Sequence, residues 1–167
     1  MSNQSPLRSS TPKRRDIRDR MAPAIISSWE RSGSDDLAIF RIRRPDGHQF
    51  QEFKAGQYVQ LAFWDQPEAD PRPRQFSIAS SPHRLDHLEF YAIRVRNSLE
   101  GPDGLGVFTG TLWNHDVGDE ILLMGPAGRF DLERTSEPEI FCIATGTGIA
   151  PFVSMAREMW EEYQRYS

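Results

Sequence analysis

The chain has 167 residues, with 20 basic and 24 acidic side chains and a formal net charge of −4. That length suits one domain of ordinary size, or one domain and part of a second, and the net negative charge argues against a general nucleic-acid binder. No apolar run approaches the roughly 18 residues of a membrane span, and a single cysteine, Cys142, excludes an internal disulfide framework or a multi-cysteine metal centre. With no apolar signal segment at the start, a cytoplasmic, reducing setting is the expectation.

Residues 1–21 carry Arg8, Lys13, Arg14, Arg15, Arg18 and Arg20 against Asp16 and Asp19. This polar stretch is expected to be a disordered basic arm, and Met21 offers an alternative start of translation. From residue 24 the pattern has a period near two. AIISSW, LAIFRIRR, YVQLAFW, FSIAS, LEFYAIRVR and EILLMG are short β-rich runs, separated by SGSDD, PDGH, PEADPRP, SSPHRLD and VGD. Leu37, Ile39 and Ile42 form a broken alternation, as do Phe90, Ala92 and Val95. Six such strands without a long helical pattern between them predict an all-β domain over residues 22–136, an antiparallel barrel or sandwich. Residues 99–118 are glycine-rich, and Thr109 to His115 read as one short helix with Thr109 as N-cap.

The pattern changes near residue 137. Ile140 to Ala144 is a continuous apolar run, as in a strand covered on both faces, and Cys142 within it is expected to be a buried, inert thiol. Thr145-Gly-Thr-Gly148 follows. Ile149, Phe152, Val153, Ala156, Met159, Trp160 and Tyr163 then form a helical stripe, with Pro151 in the first turn. One strand, one glycine turn and one helix predict residues 137–167 as the incomplete start of an α/β unit. Its missing sheet is expected to be cut off or supplied by another chain, and the helix stripe to self-associate or meet a partner.

Three motifs carry chemistry. Arg74-Gln75-Phe76-Ser77 opens a strand: Arg74 suits a pyrophosphate, Phe76 a flat heteroaromatic ring, and Ser77 a ring nitrogen. Alternation puts Gln75 and Ser77 on one face and Arg74 and Phe76 on the other. Gly106-Val107-Phe108-Thr109 precedes the short helix and suits phosphate through its backbone N–H groups. Gly146-Thr147-Gly148 joins strand to helix, where a nucleotide approaches the backbone closely. Taken singly, each has a plain structural reading as a surface arginine and core phenylalanine, a capped turn, or a tight strand-to-helix connection. His83 and His87 are weak metal candidates, so no metal site is expected.

In combination, Phe53-x-x-Gly56-Gln57-Tyr58, Arg74-Gln-Phe-Ser77-Ile-Ala-Ser80, Gly106-Val-Phe-Thr109, Gly125-Pro-Ala-Gly128 and Ala144-Thr-Gly-Thr-Gly-Ile-Ala-Pro-Phe152 resemble the ferredoxin–NADP(+) reductase family over about residues 24–160. The resemblance implies a six-stranded antiparallel Greek-key barrel that binds FAD, followed by a domain that binds NADP(H). It implies Arg74 and Gly106 to Thr109 at the flavin pyrophosphate and Phe76, where the family usually has tyrosine, on the isoalloxazine. Ser77 would be the catalytic hydrogen-bond partner of flavin N5. Gln75 belongs to the same cofactor-binding stretch, and Tyr91, Ala92 and Ile93 match the flavin-contacting strand. Thr147 is placed near flavin and nicotinamide, with Gly146 and Gly148 on the NADP side. The implied activity is electron transfer between NADPH and a ferredoxin- or flavodoxin-like carrier. Two alternatives stay open: a flavin-binding subunit or remnant without reductase activity alone, and the reductase component of an oxygenase system.

Overall fold

The computed structural model describes residues 17–31, 33, 35–65, 73–96, 106–134 and 139–167. The period-two runs form β1 (Ala22–Arg31), β2 (Leu37–Arg43), β3 (Tyr58–Ala62), β4 (Arg74–Ser77), β5 (Leu88–Ile93) and β6 (Glu120–Ala127). They make one sheet in the order β4-β3-β6-β1-β2-β5, with every pairing antiparallel. The two edges approach each other just beyond β4, where the Ala79 N–H donates to the Glu89 carbonyl at 2.8 Å. The result is the expected antiparallel barrel, with β6 inserted between β3 and β1 in Greek-key fashion.

Alternation decides what enters the barrel. Ala38, Phe40 and Ile42 of β2 lie opposite Ala92, Phe90 and Leu88 of β5, and all six are buried. The Phe40 and Phe90 rings pack 5.2 Å apart, tilted by 35°. Burial of such a side chain stabilises the fold by about 1.5–3 kcal/mol. Leu37 and Ile39, which the sequence pattern groups with Ile42, sit on the outer face. That pattern looked broken because both faces of β2 carry apolar side chains. Val95 likewise leaves the inward set and is exposed.

Outside the sheet lie the short helix α1 (Val107–Leu112), the longer helix α2 (Ala150–Tyr166), and 3-10 turns at Ile17–Arg20, Leu132–Arg134 and Gly146–Ile149. No helix among the described residues is long and apolar enough to cross a membrane. α1 starts earlier than expected. Its N-cap is Gly106, not Thr109, and no side chain caps it. Thr109 instead lies within the helix, where its Oγ1 accepts from the Val95 N–H at 3.3 Å and donates to the Gly106 carbonyl at 3.4 Å.

Residues 17–21 also differ from the expected disordered arm, whose first 16 residues lie outside the described residues. Ile17–Arg20 is a 3-10 turn. Arg18 donates to the Trp64 carbonyl at 3.2 Å, and Met21 packs with Ala62 and Leu122. Met21 supplies the apolar anchor that the polar arm lacks.

The expected buried strand at 140–144 is not formed. No strand among the described residues pairs with it, and an extended segment without a hydrogen-bonded neighbour is not a sheet. Phe141 and Ile143 are 88% and 91% exposed, and Cys142 is exposed rather than buried. α2 forms as expected but docks by a different face. Ala150, Pro151, Ser154 and Met155 are buried, while Met159, Trp160 and Tyr163 of the apolar stripe face outward.

Polar contacts hold that face to the barrel. The Ser154 hydroxyl donates to the Ser80 carbonyl at 2.7 Å. Arg157 donates to the Ala79 carbonyl at 3.0 Å and to Glu89 Oε1 at 2.7 Å. Arg41 donates to Glu89 Oε2 at 2.7 Å from the neighbouring strand. The Glu89 side chain is 2% exposed. Burial alone drives its carboxyl pKa upward, but the hydrogen bonds from Arg157 and Arg41, with the charges behind them, prevail and hold it below its ordinary value of 4.5.

Gly56 marks a second close approach. Its φ is +95°, and a Cβ there would lie 1.8 Å from the Phe130 carbonyl oxygen. The backbone after β6 therefore rests directly on the turn before β3, and only glycine permits it.

Two outcomes follow from these contacts. Because the folded Glu89 ionises below 4.5, the unfolded chain takes up its proton first on acidification. The stability this carboxylate provides is present above that value and is lost as pH falls towards the folded pKa. Urea unfolding at a series of acidic pH values should show stability falling with pH, and Glu89→Gln should flatten this dependence; identical slopes would remove Glu89 as its source. Gly56→Ala should lower stability by about 2–5 kcal/mol, combining backbone strain with overpacking, as measured by the shift in urea midpoint.

Candidate functional site

A cleft of about 490 Å³ opens where β4, β5, the start of α1 and the 3-10 turn before α2 converge. Arg74, Gln75, Phe76 and Ser77 line it from β4, and Tyr91, Ala92 and Ile93 from β5. Gly106, Val107, Phe108 and Thr109 close one end, and Thr147 and Gly148 overhang it from the turn before α2. Its size lies within the roughly 300–1,000 Å³ of small-molecule and cofactor sites. Four segments distant in sequence thus meet at one concavity.

One expectation about β4 changes. Alternation separated Arg74 and Phe76 from Gln75 and Ser77, yet all four line the same cleft. β4 is an edge strand, bonded on one side to β3. Its other side is bounded by the cleft, so residues of both alternating sets border it.

Phe76 is half-buried, with its ring 5.9 Å from Phe40, 6.2 Å from Phe90 and 5.2 Å from Phe108. The first two contacts are edge-to-face, a favourable aromatic geometry. The ring is therefore a rigid shelf, supported by the core and continuous with it. Arg74 brings a permanent positive charge to the same strand. Burial is the main influence on the Tyr91 phenol and raises its pKa, with Glu89 reinforcing and Arg157 and Arg41 opposing. Tyr91 thus presents a neutral, amphipathic wall.

Of the expected residues, Gly146 alone lies off the main cleft. It lines an adjoining, mainly apolar hollow of about 290 Å³ with Leu37, Ile39 and Ile149, and this hollow shares Tyr91, Ile93 and Thr147 with the cleft. Gly146 has φ +54°, and a Cβ there would meet the Ile93 side chain at 3.4 Å. Val95 and Ala150 also line the cleft, although the sequence pattern assigns neither to the site. Val95 had a legible signal: it stands two residues beyond Ile93, on the same side of an extended segment.

The profile of the oxidoreductase FAD-binding domain family matches residues 26–132. The chain belongs to this family, within the ferredoxin–NADP(+) reductase group. Among its relatives, it is 36% identical over 150 residues to the flavodoxin/ferredoxin–NADP reductase of Rhodobacter capsulatus, covering 89% of this chain and 49% of that one. It is 35% identical over 127 residues to the reductase component of propane 2-monooxygenase from Mycolicibacterium smegmatis, covering 75% of this chain and 33% of that one. The chain therefore spans about half the length of the first relative and a third of the second. The same fold occurs in the flavohem-like FAD/NAD-binding domain of nitric oxide dioxygenase from Vibrio cholerae, with a TM-score of 0.69 at 23% identity over 84% of this chain and 57% of that one. In this FAD-binding oxidoreductase domain, the family match extends from β1 to just beyond β6, so it takes in three of the four segments that build the cleft.

Proposed function

We propose that the cleft holds FAD and that the chain is the flavin-bearing part of an NAD(P)H-dependent oxidoreductase, carrying electrons between NADPH and a one-electron carrier of ferredoxin or flavodoxin type. The observation that carries this reading is the convergence of an arginine, an aromatic shelf, a hydroxyl and two glycine-bearing turns on one cleft. The donor set fits the group. It offers a cation and backbone N–H donors for a pyrophosphate, and a flat apolar surface for the ring.

Each residue has a definite part. Arg74 would grip the pyrophosphate through its forked donors, with Gly106 to Thr109 on its other side. The Oγ1 of Thr109 ties α1 to the end of β5 through the Val95 N–H, which keeps that loop in position. Phe76 would lie against the isoalloxazine, and its support by Phe40 and Phe90 fixes the plane. The missing hydroxyl, relative to the family's usual tyrosine, costs one hydrogen bond and leaves stacking intact. Ser77 would hold its hydroxyl proton at flavin N5. Tyr91, Ala92 and Ile93 would form the wall and exclude water. Thr147, carried by the turn before α2, would orient a nicotinamide against the ring, with Gly146 and Gly148 letting it approach the backbone. The bound flavin would supply the exchange between two-electron and one-electron chemistry, while the protein supplies placement and electrostatics.

In this reading residues 137–167 begin the nucleotide-binding unit, and the setting is cytoplasmic. A second reading makes the chain a flavin-bearing subunit whose reductase activity needs a partner chain. Phe141, Ile143, Met159 and Trp160, all exposed, favour it. A role as the reductase component of an oxygenase system rests on the monooxygenase relative alone.

The test is flavin titration. The chain should retain FAD in preference to FMN, because two separate segments are assigned to the pyrophosphate. Recovery of FMN alone, or of no flavin after FAD is added, would sink the assignment. Arg74→Ala should weaken FAD binding roughly ten- to hundredfold, the effect of losing a charged hydrogen bond of about 1.5–3 kcal/mol. Arg43→Ala, at an exposed side chain at the end of β2 that does not line the cleft, should leave the titration curve unchanged.

A further inference from the structure

Outside the cleft, α2 and the turn after β4 bring together three metal-ligating side chains. Glu158 and Glu162 stand one helical turn apart, on the same side of α2. His83 faces them from the turn after β4. One ligand atom from each of the three lies within 4.8 Å of the others. The sequence reading weighed His83 only with His87, because 75 residues of chain separate it from its carboxylate neighbours.

The charges here are unbalanced. Burial, more than any other influence, raises the Glu158 carboxyl above its ordinary value; the charge of Glu162 adds to this, His83 opposes it, and Glu133 makes a smaller contribution. The nearby cations are committed elsewhere: Arg84 pairs with Glu161 at 3.2 Å, and Lys54 pairs with Glu133. A separate observation points to a ligand. His83 Nε2 is buried and has no hydrogen-bond partner among the described residues. The nearest carboxylate oxygen, on Glu162, is 3.8 Å away and beyond hydrogen-bond reach. A buried ring nitrogen aimed at two carboxylates that it does not touch has the arrangement of a coordination set short of its ion.

We propose that His83, Glu158 and Glu162 form a binding site for a divalent first-row transition cation of the zinc type. One imidazole nitrogen and two carboxylate oxygens match such a cation, whereas an all-oxygen set would suit magnesium or calcium. Zinc ligands sit at about 2.0–2.2 Å, so the three atoms must draw slightly closer together. Glu162 is about half exposed and can make that adjustment by rotating. Three protein ligands leave a fourth position for water. The ion would neutralise the Glu158–Glu162 repulsion and satisfy His83 Nε2. It would also staple α2 to the turn after β4 through residues that do not line the cleft.

The experiment uses the full chain carrying Cys142→Ser, which removes the exposed thiol, and titrates it with Zn²⁺ by calorimetry. A saturable site should appear, and Zn²⁺ should raise the melting temperature. His83→Gln and Glu162→Gln should each weaken binding by about tenfold or more and abolish the thermal shift, with an unchanged far-ultraviolet circular dichroism spectrum. Glu162 is exposed enough that its substitution leaves folding intact. Absence of saturable Zn²⁺ binding in the parent, or parental titration curves in both variants, would overturn the proposal.

Discussion

The buried carboxylate of Glu89 is the contact around which the described structure is organised. A charge on the outer wall of β5 is costly to desolvate, and here it is met by Arg41 from β2 and Arg157 from α2. Removing either arginine leaves the other charge pattern incomplete, the circumstance in which buried ion pairs matter most. Arg157 also binds the Ala79 carbonyl, and Ala79 is the residue whose N–H joins the end of β4 to β5. The same side chain therefore secures the helix and braces the seam where the two edges of the sheet meet. Thr147 and Gly148 stand just before that helix, so their place above the cleft depends on this contact.

The cleft begins beside this contact: Tyr91, two residues along the same face of β5 from Glu89, lines it, as does Ala150 at the start of α2. The aromatic interior runs continuously into it, from Phe90 and Phe40 to the ring of Phe76. A ligand-facing ring supported in this way has little freedom to tilt, so the core sets its orientation. The polar groups of the cleft come from short segments attached to that rigid base, which is the arrangement that best preorganises a binding site.

Much of the architecture was legible as pattern. Period-two runs and turn clusters located all six strands, and Phe90 with Ala92 showed the inner face of β5. Leu37 and Ile39 misled because hydrophobicity does not state which face is inward when both are apolar. The run from Ile140 to Ala144 misled for a related reason: an apolar segment is buried only when another element covers it. The docking face of α2 was hidden, since Ser154, Arg157 and Glu161 hold it by polar contacts while the periodicity points to the opposite stripe. The cleft residues were found through the combined motifs, each of which is ambiguous singly. Their meeting at one place depends on the approach of β4 to β5, and nothing local in the sequence encodes that approach.

The position of β6 has a consequence for how the chain acquires its shape. β6 lies between β3 and β1, and its pairing joins Ala22 to Leu123 and Leu61 to the same Leu123. Until β6 arrives, β1, β2 and β5 form one ribbon and β3 with β4 another, with no ladder between them. Ordering the barrel must therefore wait for contacts spanning about a hundred residues, the long-range closure that slows folding in β-rich topologies. During synthesis the sheet cannot close over its apolar interior until β6, the last strand in chain order, has emerged.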